Sequence, residues 1–215
     1  MQFSAFLSSR FRRRAVLAGG ALLLACAGAL PALAAPQIGQ PAPAFALADT
    51  NGTMRRLADL RGKVVVLEWT NADCPFTIKH YKSGNMQSLQ KQAAGEDVVW
   101  LSVISSAPGQ QGYVNAAEAN RLSTSRGASP TGVLLDPKGD LGRLYGAVTT
   151  PHMFVIDREG MLRYMGGIDS IASTSVSDVP KAKPLFLDAM QAVVQGKPVA
   201  APVTRPYGCS VKYAS

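Results

Sequence analysis

The sequence predicts an α/β domain in which a mixed central β-sheet is flanked by helices. Short β-branched apolar runs at 63–69 and 98–104 are typical of buried strands, and a helical pattern follows each of them. A strand pair at 153–165 and an amphipathic segment at 184–195 come later in the chain. Strand–helix–strand–helix, followed by a hairpin and a helix, is the element order of such a sheet.

Local signals define the individual elements. Asn51-Gly52 predicts a hairpin turn between short strands at 45–47 and 54–56, and a helical turn at 57–60 follows. A helix is expected from Pro75 to about residue 94, with a break near Ser83-Gly84. The other predicted elements are a polar helix at 114–125, a strand at 133–135, a helix at 141–145, a hairpin at 153–165, a loop at 168–180 and a closing helix at 184–195.

Residues 1–34 are interpreted as an export signal. Four arginines between positions 10 and 14 precede an apolar stretch, and Ala32-Leu33-Ala34 fits a cleavage site before Ala35. Arg13-Arg14 resembles a twin-arginine signal, and an ordinary secretory signal is the alternative. Leu23-Leu24-Ala25-Cys26 is a loose lipobox, but the apolar run continues past Cys26, which disfavours a lipid anchor. The predicted location is the periplasm or the exterior.

Composition limits the remaining chain to one domain. The 215-residue sequence has a formal charge of +8, which falls to about +4 without the four signal arginines. This charge is not typical of nucleic-acid binding, and nothing after Leu33 is long and apolar enough to span a membrane. We predict three regions: the signal at 1–34, a domain at 35–195, and a Pro- and Gly-rich tail at 196–215. We expect a monomer or a weak dimer.

Cys74 is the strongest candidate for chemistry. It follows the predicted strand at 63–69, and Pro75 suits the first position of a helix because it lacks an N–H. A sulfur at a helix N-terminus lies near unpaired N–H groups and the positive end of the macrodipole, which favour the nucleophilic thiolate. The pattern predicts a redox-active or peroxide-reactive cysteine, with a buried inert thiol as the alternative.

Three stretches in order resemble a known family: residues 43–67, the segment Trp69 to Pro75, and residues 146–157. They resemble the thioredoxin-like fold and the exported redoxins of the alkyl hydroperoxide reductase/thiol-specific antioxidant-like, or peroxiredoxin-like, group. The resemblance extends from about Gln37 to Gln195. It implies that Cys74 is the exposed nucleophile, that Pro151 is a cis-proline beside it, and that Thr150 offers its backbone to an extended substrate.

The chain departs from both parent patterns. Thr77 stands where a thioredoxin has its second cysteine, so the helix has no local resolving thiol. Leu67 and Asn71 stand where a typical peroxiredoxin has proline and threonine, and the hydroxyl that orients a peroxide is therefore missing there. Neither activity transfers directly from the resemblance.

Cys209 is the second thiol that remains after signal removal. It lies in the tail, which we expect to be mobile and outside the core. If the tail folds back, Cys209 is able to resolve a sulfenic acid or mixed disulfide on Cys74. A structural disulfide, a free thiol and a cross-link between two chains remain open at this stage.

Four nearby residues have less specific interpretations. His80 is interpreted as a solvated helix residue, and about 9 Å of helical rise places it too far from the helix start for direct proton transfer to the sulfur. His152 is either a local base or a packing residue. Asp73 opposes the thiolate by its charge or caps the helix, and Lys79 favours the thiolate weakly.

Two classes of function follow. The first is an exported thiol-dependent oxidoreductase or antioxidant enzyme without a cofactor, in which Cys74 attacks a peroxide or a protein disulfide and an external thiol supplies electrons. The second is a binding protein without turnover that handles copper through Cys74, the two histidines and Met86 or Met153. A catalytically inactive stress protein is a third possibility.

Overall fold

The computed structural model describes residues 1–2 and 35–214. The predicted export signal, with its arginines, Cys26 and the cleavage site, lies outside the described residues. Within the part of the chain that is described, no helix is long and apolar enough to cross a membrane.

The observed elements follow the predicted order closely. In chain order they are β1 (Ala46–Ala48), β2 (Met54–Arg56), β3 (Val65–Trp69), α1 (Pro75–Lys82), α2 (Asn85–Gly95), β4 (Val99–Ile104), α3 (Ala116–Ser125), β5 (Gly132–Leu135), α4 (Asp140–Leu144), β6 (Thr149–Thr150), β7 (His152–Ile156), β8 (Leu162–Gly166), α5 (Leu185–Val194) and β9 (Cys209–Ser210). Gly84, with a φ of +74°, separates α1 from α2 at the predicted break. The predicted loop at 168–180 overlaps a short 3-10 helix over Val176–Lys181.

The central sheet has five strands in the order β5-β4-β3-β7-β8. The pairs β3–β4 and β4–β5 are parallel, whereas β3–β7 and β7–β8 are antiparallel. The predicted mixed sheet flanked by helices is confirmed. The strand β3 lies at the centre of the sheet and is fully buried, and the turn into α1 begins at its C-terminal end.

Alternating side chains of the sheet form two apolar layers. Val66 and Val155 pack with residues of α1, α2 and α5, and Leu67 and Phe154 face the opposite layer, with α4 and the N-terminal hairpin. This alternation is what a period of two residues requires of strands covered on both faces. The packing of β3 between these two layers holds the strand in place, and therefore also the turn after it that carries Cys74.

The C-terminal tail is not outside the core as expected. The residues at 196–214 belong to the same compact unit as the sheet, and the N–H of Met165 in β8 donates to the carbonyl of Pro202 at 3.0 Å. Further along, β9 pairs antiparallel with β6. The tail composition did not reveal this, because the partner strand lies about 60 residues earlier in the chain.

Candidate active site around Cys74

The turn between β3 and α1 places Cys74 at the N-cap position of the helix. The N–H of Thr70 donates to the Val103 carbonyl at 2.9 Å, which prolongs the pairing of β3 with β4. The N–H of Cys74 then donates to the Asn71 carbonyl, and the Cys74 carbonyl accepts the N–H of Ile78 at 2.8 Å. The hydrogen bonds of Asp73 are made by its backbone and not by its carboxylate, so the suggestion that Asp73 caps the helix is wrong.

Asn71 shapes this turn through its side chain. Its Oδ1 accepts the N–H of Asp73 at 2.9 Å, and its Nδ2 donates to the Gln111 carbonyl at 3.3 Å. A Cβ on Gly112 would lie 2.2 Å from Oδ1 of Asn71. Only a glycine at position 112 therefore lets the loop around this residue pack against the Asn71 side chain. At the position where a peroxiredoxin has threonine, this chain has a residue that holds the backbone.

The Cys74 side chain is fully buried, contrary to the expectation of an exposed nucleophile. Its Sγ donates to the Thr150 carbonyl at 3.1 Å, and the Thr150–Pro151 peptide bond is cis. The hydroxyl of Thr150 is buried and has no hydrogen-bond partner while Cys74 is in the thiol state. The sulfur is buried because the tail lies over this edge, which the sequence pattern at the helix start did not indicate.

The tail brings the second cysteine to the same place. In the β6–β9 ladder Thr150 pairs with Cys209 and Thr149 pairs with Ser210. Gly208 precedes them with a φ of +144°, and a Cβ there would lie 2.0 Å from the Thr150 carbonyl oxygen. Thr150 therefore contacts Cys74 through its carbonyl and Cys209 through strand pairing. Both cysteines are free thiols.

The two thiols have opposite electrostatic environments. Burial by itself raises the pKa of the Cys74 thiol, but hydrogen bonds from the Cys209 thiol, the backbone N–H groups of Thr77 and Cys209 and the Thr150 hydroxyl lower it below its ordinary value. Burial and the adjacent Cys74 sulfur raise the pKa of Cys209 to about 11. Cys74 is consequently the thiol that ionises first, and Cys209 retains its proton.

Tyr207 anchors the tail two residues before Cys209, and no local pattern predicted this role beyond its place next to Gly208. Its hydroxyl donates to Asp169 at 2.5 Å, accepts from Nζ of Lys79 at 3.0 Å and lies 3.1 Å from Nε2 of His80. Its ring packs edge-to-face on Phe76, with a centroid distance of 5.8 Å. The anchor therefore joins the tail to α1 and to the loop after β8.

Lys79 and His80 are therefore core residues and not surface residues. The side chains of both are completely buried, so the interpretation of His80 as solvated is wrong. Burial, followed by the charge of Lys79, lowers the pKa of His80 to about 4, with Asp169 opposing the shift. Lys79 also donates to the Ile171 carbonyl at 3.1 Å. Its ammonium group is therefore held among the groups that surround the Tyr207 hydroxyl.

His152 packs inside the sheet. It is buried, its ring lies 4.4 Å from the Phe154 ring, and its Nδ1 accepts the N–H of Val148 at 3.4 Å. Burial lowers its pKa to about 4, so the ring is neutral near pH 7. In the described part of the chain no three His, Cys, Asp or Glu side chains cluster in a way that could hold a metal ion.

Glu68 is a second residue that the sequence analysis did not single out. It is fully buried in β3, where its carboxylate accepts hydrogen bonds from Nε1 of Trp100 at 2.9 Å, Oγ of Ser102 at 2.8 Å and the Tyr81 hydroxyl at 3.1 Å. Gln90 is a further donor, at 3.4 Å. An acidic residue within an apolar strand run was the available signal, because a buried carboxylate needs several donors.

The chain is similar to known proteins in both sequence and fold. The model of the AhpC/TSA family matches residues 38–165, and a search of curated proteins returned no match. Among solved structures, a hypothetical protein from Sinorhizobium meliloti has 21% identity and a TM-score of 0.67, with 85% of this chain and 97% of that chain covered. An uncharacterized conserved protein from Geobacillus kaustophilus has 22% identity and a TM-score of 0.68, with coverages of 83% and 93%.

A third structure is a putative thiol:disulfide interchange protein DsbE from Chlorobium tepidum. It has 27% identity and a TM-score of 0.50, and covers 61% of this chain and 85% of its own. The structural similarities establish the thioredoxin-like fold that the sequence predicted. Because the family model spans more than half of the sequence, the chain belongs to the AhpC/TSA family of thioredoxin-like redoxins.

Proposed function

We propose that this protein is an exported thiol–disulfide oxidoreductase in which Cys74 is the nucleophile and Cys209 the resolving thiol. The observation that carries the proposal is the meeting of both cysteines at Thr150, whose carbonyl accepts from the Cys74 sulfur while its backbone pairs with Cys209. Two cysteines far apart in sequence thereby act as one redox pair, in place of the missing second cysteine of the helix.

The proposed reaction has two exchange steps. The Cys74 thiolate attacks one sulfur of a substrate disulfide, which forms a mixed disulfide and releases the other substrate sulfur as a thiolate. Cys209 then loses its proton and attacks the Cys74 sulfur, which forms the Cys74–Cys209 disulfide and releases the second substrate thiolate. The substrate gains two electrons and the protein loses two, and an external thiol donor returns them by the reverse exchange.

The hydrogen bonds at the sulfur support this order of events. The Cys209 thiol, two backbone N–H groups and the Thr150 hydroxyl stabilise the thiolate of Cys74, and the higher pKa of Cys209 keeps it protonated until the mixed disulfide has formed. Thr150 contributes its hydroxyl in the thiolate state, and in the thiol state its carbonyl accepts from Sγ. In this scheme the cis-proline Pro151 follows Thr150, the last residue of β6, which both thiols contact.

A peroxide is a second oxidant for the same pair, and membership in the AhpC/TSA family favours it. The Cys74 thiolate would attack one peroxide oxygen, giving a sulfenic acid and releasing an alcohol or water after protonation. Cys209 would then attack the sulfenic sulfur, giving the same disulfide and one water. In the thiol state of Cys74 the buried hydroxyls of Thr70, Thr77 and Thr150 have no hydrogen-bond partner, so they are donors available near the turn that carries the nucleophile.

The test measures the intact mass of the matured protein, from which the predicted signal with Cys26 has been removed, alkylated without reduction, before and after one equivalent of oxidised glutathione or of hydrogen peroxide. We expect two alkylated thiols before and none after, with the mass of an intramolecular disulfide. Cys209→Ser is the matched control: with oxidised glutathione it should retain one glutathione on Cys74.

Three results would overturn the proposal. A Cys74–Cys209 disulfide that is already present and resists a mild reductant would make the pair a structural clamp. Two thiols that persist with both oxidants would rule out oxidoreductase chemistry and leave copper handling to be tested with Cu(I). A disulfide between two chains would assign Cys209 to dimerisation, against the monomer or weak dimer without a covalent link that the proposal assumes.

A further inference from the structure

Tyr207 is the feature of the tail that the proposed chemistry does not use directly. Its hydroxyl has hydrogen-bond contacts with three partners, Lys79, His80 and Asp169, and all three are buried. None of them belongs to the tail: two lie on α1 and the third lies in the loop after β8. Burying such a set of polar groups is costly unless each one has a hydrogen-bond partner, and the Tyr207 hydroxyl of the tail is a partner for all three.

The partner groups are themselves held in place. Lys79 is 3.5 Å from Asp169 and also donates to the Ile171 carbonyl, and Nδ1 of His80 lies 2.9 Å from Nδ2 of Asn85. His80 is neutral near pH 7 because its pKa is lowered to about 4, first by burial. The hydroxyl of Tyr207 therefore meets a cation, an anion and a neutral ring, all with fixed positions.

The distance between Tyr207 and Cys209 along the tail is similar to the distance between their contact residues, Lys79 and Cys74, along α1. Tyr207 and Cys209 are two residues apart, which spans at most about 7 Å, and the chain bends at Gly208 between them. Cys74 and Lys79 are five residues apart in the helix, a rise of about 7.5 Å. A tyrosine fixed at Lys79 and His80 thus brings the cysteine two residues later to the level of Cys74. The glycine between them allows the close approach to Thr150.

We propose that Tyr207 is a positioning residue that sets the effective concentration of Cys209 at Cys74, with Lys79, His80 and Asp169 as its binding site. The inference rests on the proposed function, because it concerns the same redox pair. Without this anchor, the tail is still held by the two-residue β9 ladder, by contacts after Cys209 and, before Tyr207, by hydrogen bonds that join Pro202 and Thr204 to β8 and the turn after it. Tyr207 is the fixed point nearest to the thiol on its N-terminal side, and its loss lengthens the free segment between Thr204 and Cys209, which lowers the effective concentration of the thiol.

The second tyrosine of the tail offers a matched control. Tyr213 lies four residues after Cys209, and its hydroxyl donates to the Ala147 carbonyl at 2.7 Å. Its ring lies 4.6 Å from the Arg143 guanidinium. Both tyrosines hold the tail by a hydroxyl, but only Tyr207 meets a charged, buried cluster on α1. Tyr207→Phe and Tyr213→Phe remove the same atom on either side of the thiol.

The experiment measures the equilibrium constant for disulfide formation in a glutathione redox buffer, where each Cys74–Cys209 disulfide formed consumes one oxidised glutathione and yields two reduced ones. We expect Tyr207→Phe to lower this constant about ten-fold, equivalent to about 1.4 kcal/mol, because hydrogen bonds to charged groups are the stronger ones. Tyr213→Phe should change it less than about three-fold, since it loses a hydrogen bond to an uncharged carbonyl.

A second measurement covers the case in which Tyr207→Phe is too unstable to assay. In the matured protein carrying Asp169→Asn, which keeps the shape of the acceptor but removes its charge, the constant should also fall below that of Tyr213→Phe. Equal constants for the wild type and both tyrosine variants would overturn the inference while leaving the redox pair intact. A wild type that forms no disulfide at all would instead overturn the proposed function.

Discussion

The two cysteines of the site occupy regions that are held by different kinds of interaction. Cys74 follows a central strand with apolar packing on both faces, and its turn is closed by local backbone hydrogen bonds. Cys209 lies in a two-residue strand near the end of a long tail, held by short pairings with β6 and β8, by tyrosine anchors and by a few half-buried apolar side chains. Packing in a fully buried strand fixes the first thiol, and scattered contacts of a partly exposed segment fix the second.

This difference separates stability from redox function. Changes beneath Cys74 should affect the free energy of unfolding of the whole domain, because the strand belongs to the apolar core. Changes in the tail should affect the approach of Cys209 and leave the core nearly unchanged, because regions with few buried apolar contacts open locally at low cost. The predictions below test this separation, beginning with the largest expected effect.

Gly208→Ala should give the largest effect on disulfide formation. The added Cβ would lie 2.0 Å from the Thr150 carbonyl oxygen, so that Cys209 must move away from the sheet edge. With strain of about 1–3 kcal/mol, we expect the equilibrium constant for the Cys74–Cys209 disulfide to fall by about five-fold to about 150-fold. The glutathione redox equilibrium described above measures it.

Gly196→Ala is the control for that change. Gly196 lies in the same tail and also has a positive φ, of +66°, but nothing lies within 4 Å of its Cβ position. It should incur the backbone strain of an alanine at positive φ without losing the thiol pair. If both variants reduced disulfide formation equally, the close approach at Thr150 would not be the cause, and the contrast between tail and core would weaken.

Glu68→Gln should act on the other region. The carboxylate accepts hydrogen bonds from Trp100, Ser102 and Tyr81. An amide has one acceptor oxygen in place of two, and its NH₂ group would face side chains that are themselves donors. We expect the free energy of unfolding to fall by about 1–3 kcal/mol, as for a buried group left without its partner. Urea unfolding of the reduced protein measures this loss, and Glu159→Gln at an exposed position is the control.

If Glu68→Gln lowered the disulfide equilibrium constant as strongly as Gly208→Ala, stability and redox function would not separate. The strand and the tail would then behave as a single cooperative unit. A normal redox equilibrium in a less stable protein would support the distinction.

Cys209→Ala should give the smallest effect, on the ionisation of Cys74. Burial raises the pKa of Cys74 and several hydrogen bonds lower it, the Cys209 thiol first among them. Because that donor stabilises the thiolate, its removal should move the pKa of Cys74 upward and reduce the thiolate fraction near neutral pH. Ultraviolet absorbance of the thiolate as a function of pH measures the shift, with the backbone donors of Thr77 and residue 209 still in place.

The opposite result would be informative. A pKa of Cys74 that stayed the same or fell in Cys209→Ala would mean that the helix terminus and the backbone N–H groups account for the ionisation. Cys209→Ser, which retains a donor at this position, should resemble the wild type more closely than Cys209→Ala does.

The sequence by itself determined the order of the elements, the mixed sheet, the placement of Cys74 at a helix start and the resemblance at residues 146–157. These features depend on local patterns: apolar periodicity, proline at the first helical position and glycine at turns. Only the tertiary structure decided that Cys74 is buried, that His80 and Lys79 are buried, and that the tail meets Thr150. Those facts depend on pairing between segments far apart in sequence, and a polar residue such as Tyr207 carries no local sign of the partner that it will find once the chain has folded.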